Sequence, residues 1–133
     1  MPQLKWDPTD FIECLEVAPI NDSYDAELIY RVERNELVLT LTMWQHESVL
    51  KLNLASASTG NTITEFCLVL PMPVEFVKEK GREFLLFKRS VVSPSRFYYH
   101  DIEGNPFDQA ESKARVDVRL SVKPEIKIEY MRP

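Results

Sequence analysis

Glycine is scarce in this chain, with three residues in 133 against nine prolines. A phosphate-cradling loop needs glycine where the backbone closes on the anion, so the scarcity argues against a nucleotide loop of that kind. The same scarcity means that tight turns must rest on Asn, Asp, Ser and Pro. Histidine and cysteine are equally sparse, two of each, and no CxxC, HxxxH or HExxH spacing occurs. The expectation is therefore no metal and no cofactor.

Long apolar runs are missing too. The longest, Cys67 to Val74, is broken by Pro71 and Pro73 and falls well short of a membrane span. The opening residues Met1 to Pro8 lack the apolar centre of a signal peptide. Without an export signal, the Asn21-Asp22-Ser23 sequon reads as chance. Cys14 and Cys67 lie far apart, each in apolar surroundings where a free thiol behaves as a small hydrophobe. A reducing cytoplasm is the simplest home for such a chain.

Nor is there an excess of positive charge. The net charge is −5, which argues against a nucleic-acid backbone as the principal partner. The charge is uneven, however. Residues 1–27 hold seven acids against the single base Lys5, whereas residues 78–133 hold twelve bases against nine acids. An acidic front and a basic back can attract each other within the fold, or can steer a partner protein. The intramolecular reading is the simpler of the two.

What the chain does have is alternation. Leu37, Leu39, Leu41 and Met43 alternate with Val38, Thr40, Thr42 and Trp44, the period of a strand usable on both faces. Leu28–Val32 before it and Leu50–Leu54 after it are joined to it by short polar turns, which gives an antiparallel meander. Strands are further expected over Thr62–Leu70, Glu83–Val92, Arg96–Ile102, Arg115–Val122 and Ile126–Tyr130. For the last two, charge selects a hairpin register. A loop at Lys123-Pro124-Glu125 sets Arg119 opposite Glu129 and Leu120 opposite Ile128, while a slip of two residues opposes like charges. The outer face of that hairpin, Arg115, Asp117, Arg119 and Ser121, then reads as solvated surface.

One helix is expected over about 8–17. Asp7 can cap it, Pro8 can begin it, and Phe11, Cys14 and Leu15 fall on one stripe. A second short helix is expected over 73–81, opening on Pro73 and closing on Gly81, with a strand as the alternative. The chain thus reads as a single domain, 1–133, mainly β and on the α+β boundary. Its β-rich body covers about 26–131, with about seven or eight antiparallel strands in a sandwich or open barrel.

Groupings that carry chemistry fail on geometry. Asp101 to Asn105 resembles the start of a calcium loop, but Pro106 stands where glycine must turn and Ser112 where a bidentate glutamate is needed. His46 and Ser48 in extended chain are about 7 Å apart, too far for proton transfer. No catalytic residue is assigned. The leading reading is a non-enzymatic domain that binds another protein through Asp7, Asp10, Glu13, Glu16, Asp22 and Asp25, with Trp44 as an aromatic anchor. The alternative is a barrel-like carrier or enzyme for a small aromatic or anionic ligand, using Arg96, Tyr98 and His100. Open strand edges also allow a homodimer.

Overall fold

The computed structural model describes residues 4–21, 26–93 and 115–132. Among them one helix, α1 (Pro8–Leu15), is followed by nine strands: β1 (Ile20–Asn21), β2 (Leu28–Arg34), β3 (Leu37–Trp44), β4 (Val49–Ser56), β5 (Thr62–Val69), β6 (Glu75–Glu79), β7 (Arg82–Ser93), β8 (Arg115–Ser121) and β9 (Lys127–Met131). Eight run edge to edge in the order β1-β2-β3-β4-β5-β7-β8-β9, every pairing antiparallel. β6 lies off that path and pairs with the first half of β7. Among the described residues the sheet does not close into a barrel.

It is nevertheless strongly curled. Phe66 of β5 meets Tyr130 of β9 with ring centroids 5.7 Å apart, although β7 and β8 lie between them in strand order. Three strand spacings in a flat sheet would separate them by about 14 Å. The concave side gathers Val32, Leu39, Leu41, Leu52, Leu68, Leu85, Phe87, Val118 and Leu120 into one core. Phe11, Cys14 and Leu15 of α1 join that core, with Phe11 against Tyr30 at 5.5 Å and Phe87 at 6.5 Å. The helix therefore lies on the concave face, where an eight-residue helix gains from packing what it lacks in intrinsic stability.

The capping chemistry is as the residues dictate. The Asp7 carboxylate accepts from the Thr9 N–H at 2.9 Å and Pro8 takes the first helical position. The helix stops at Leu15 rather than near residue 17, because Glu16 turns left-handed at φ 62° and closes the last turn onto the Ile12 carbonyl. Residues 4–6 then strap the helix to the body: Leu4 N–H donates to the Gln45 carbonyl at 2.9 Å, and Val74 N–H donates to the Lys5 carbonyl at 3.0 Å.

The expected helix over 73–81 is instead the strand β6 and its turn. Lys80 and Gly81 both have positive φ, the geometry of a two-residue hairpin turn, so Gly81 marks a reversal and not a helix cap. Phe76 faces the core opposite Leu85, a partner that the segment alone does not reveal.

The terminal hairpin keeps the register that charge selects, with Arg119 opposite Glu129 and Leu120 opposite Ile128. Its outer face is not the solvated surface expected, since Arg115 and Ser121 are buried. Arg115 donates to the Arg89 carbonyl at 3.2 Å. Beside it runs a row of apolar residues on the convex side, Trp44, Val49, Val69 and Val91, in register across four strands and joined by Cys67. Both faces of β3 are thus packed, as its double-sided alternation requires. The expected strand over 96–102 lies outside the described residues.

Candidate functional site

Four of the acids named from the sequence stand on or beside α1, and the stripe that buries Phe11, Cys14 and Leu15 turns them outward. Asp7, Glu13 and Glu16 are exposed and Asp10 is half-buried. Between them Ile12 is 44% exposed, an apolar side chain held out among carboxylates. Asp10 titrates above the ordinary aspartate range, first because of desolvation and then because Asp7 and Glu13 crowd it with like charge.

Glu13 and Glu16 are committed within the fold. Glu13 accepts from Lys78 of β6 at 2.6 Å. Glu16 bridges Arg34 at 3.0 Å and Lys123 at 3.7 Å. The Lys123 ammonium also reaches Glu83 at 2.9 Å, and this bond holds the Glu83 carboxyl below its usual range while raising Lys123. Lys78 is raised in the same way by its bond to Glu13. The acidic front and basic back do engage each other, therefore, through Glu13 with Lys78 and Glu16 with Lys123. Asp7 is occupied as a cap, which leaves Asp10 and Ile12 as the least committed side chains of this face.

Trp44 does not share that surface. It is 8% exposed, and its indole N–H donates to Glu27 at 3.0 Å. Asp22 and Asp25 lie outside the described residues, as do Arg96, Tyr98 and His100 of the alternative ligand site. The His46-Glu47-Ser48 grouping is a turn: His46 is exposed, while Ser48 is buried and gives its hydroxyl to the Leu70 carbonyl at 2.7 Å. Among the described residues no group of three or more His, Cys, Asp or Glu is placed to hold a metal ion. No helix among them is long and apolar enough to cross a membrane.

One cleft was not anticipated. A space of about 410 Å³ lies at the tip of the β6–β7 hairpin, lined by Lys78, Lys80, Arg82, Glu83 and Lys123 among others. Its lining sets four cations against Glu79 and Glu83, and Lys78, Arg82 and Lys123 already hold Glu13, Glu129 and Glu83. The signal for it in the sequence is the basic excess after residue 78, but nothing there shows which acids those bases meet.

No protein-family model matches this chain, and no curated protein matches it. A solved chain that shares the fold belongs to a contact-dependent growth inhibition toxin–immunity protein complex from Klebsiella pneumoniae 342. The two superpose with a TM-score of 0.71 over 98% of this chain and 97% of that one, at 10% sequence identity. The likeness is one of architecture and extends along the whole chain.

Proposed function

We propose that this chain acts by binding another protein, in the manner of the immunity member of a toxin–immunity pair. The observation that carries the reading is the shared architecture, end to end, with a chain solved in a complex of that kind. The immunity side is favoured because it requires binding alone, and because this chain is acidic and suits a basic partner. Two buried free thiols fit a reducing compartment, and the proposed setting is the cytoplasm.

The proposed contact surface is the outward face of α1, with Ile12 as the apolar anchor and Asp10 as the charge that a partner cation relieves. Desolvated apolar anchors ringed by charge are where binding energy concentrates. The test is affinity capture from the native cell lysate with wild type and an Asp10→Lys/Ile12→Ala variant side by side. These two substitutions break none of the helix's ion pairs. Wild type should retain a stoichiometric basic protein, and the variant should retain at least about tenfold less. Equal retention by the two would remove the helix face from the account.

A further inference from the structure

β9 ends the sheet. Its inner side pairs with β8 from Asp117↔Met131 to Ser121↔Lys127, and among the described residues no strand pairs with its outer side. An outermost strand presents a row of backbone N–H and C=O groups ready to accept another strand. Natural edges are often blunted by charge of one sign, but here the charges are mixed and symmetrically placed. Lys127 and Glu129 flank Ile128, on the face opposite to Ile126, Ile128 and Tyr130. Tyr130 is 51% exposed, Lys127 is exposed, Ile126 and Ile128 are only partly covered, and Glu129 is half-buried beside its partner Arg82.

That spacing is self-complementary. An antiparallel copy of β9 centred on Ile128 places Lys127 opposite the second copy's Glu129 twice over, Ile128 opposite Ile128, and Ile126 opposite Tyr130. Centring on Glu129 opposes two glutamates, and centring on Lys127 opposes two lysines, both unfavourable for directly facing residues. A slip of one residue would turn one copy's core face outward. We propose that β9 is the contact through which two copies of this chain pair about a two-fold axis at Ile128, extending the curled sheet across the dimer. The two-fold makes the patch meet itself, which is the commonest arrangement of soluble oligomers. The occupant is a second copy because only an identical strand carries the matching Lys–x–Glu order by necessity. The contact uses a different element from α1 and stands independently of the proposed function.

The experiment is sedimentation velocity of the full chain over a dilution series, with wild type, Lys127→Glu and Glu129→Lys, each checked for native far-UV circular dichroism. Wild type should pass from monomer to dimer as concentration rises. Each single variant opposes like charges in the pair and should weaken self-association at least about tenfold. Mixed together, the two variants should restore a dimer, because every facing pair is then opposite in sign. A wild type that stays monomeric throughout overturns the proposal, as does dimerisation unaffected by either variant or a mixture that stays monomeric. A strand from a different protein on this edge would give the first of those results. Should Glu129→Lys fail to fold for want of its bond to Arg82, Ile128→Cys supplies an independent reading. Thiols facing each other across the axis should give a disulfide-linked dimer under mild oxidation, and failure to cross-link overturns the register. Cys14 and Cys67 are buried and do not compete.

Discussion

At Tyr30 a large aromatic side chain is fully buried and its hydroxyl has no hydrogen-bond partner among the described residues. Burial pushes its ionisation up to about 12 from 10.0. An unpaired buried hydroxyl costs desolvation without return, so Tyr30→Phe should leave stability unchanged or raise it by up to about 1 kcal/mol in urea denaturation. A loss larger than that would reveal a partner for the hydroxyl. Cys14 tells a similar story, with its thiol pushed up to about 11 from 9.0, chiefly by burial. Both groups keep their protons longer in the folded than in the unfolded chain. Their contribution to stability is therefore full below pH 9 and falls as pH rises toward 11 and 12. Tyr30→Phe should flatten the upper part of that decline. Native Cys14 should resist thiol reagents at pH 8 and react once the chain is unfolded. The burial of both cysteines was legible in their apolar neighbours. That of Arg115 was not, because alternation assigns it to a face without showing what covers that face.

Among the elements, local chemistry decides the turns. Asn35 and Glu36 link β2 to β3 with φ of 49° and 66°, the two-residue turn that favours glycine at its second position. Glu36→Gly should therefore stabilise the hairpin by about 0.5–1 kcal/mol, read as a raised urea midpoint. Removing the helix cap with Asp7→Ala should cost about 1 kcal/mol by the same measurement. The elements that were readable are those whose signal is internal. The double-sided alternation of Leu37–Trp44 gives a central strand, Asp7-Pro8 gives a helix start, and opposite charges give the β8–β9 register. The segment 73–81 stays open between helix and strand in the sequence because Pro73, Glu75 and Gly81 serve a helix and a hairpin equally well, and the deciding contact, Phe76 with Leu85, is made across the sheet.

For the whole molecule, the uneven charge of the chain was legible but its use was only half so. Glu13 and Glu16 fold back on Lys78, Arg34 and Lys123, so much of the acidic front fastens the helix to the sheet. Exposed pairs of this kind add little in water, so the packing of Phe11 and Leu15 remains the main hold on α1. What is left outward, Asp10 and Ile12, could not be singled out from sequence, since that required knowing which acids find bases. Trp44 was named as an anchor from its place at a strand end, and its bond to Glu27 shows why such a position does not by itself make a contact surface.

The proposed contact through the outward face of α1 makes a direct demand on one binding curve. Once the captured partner is in hand, its affinity for wild type should fall with rising ionic strength and collapse for Asp10→Lys/Ile12→Ala, while the variant's urea midpoint stays close to that of wild type. A partner held equally by both proteins at every salt concentration would contradict the account.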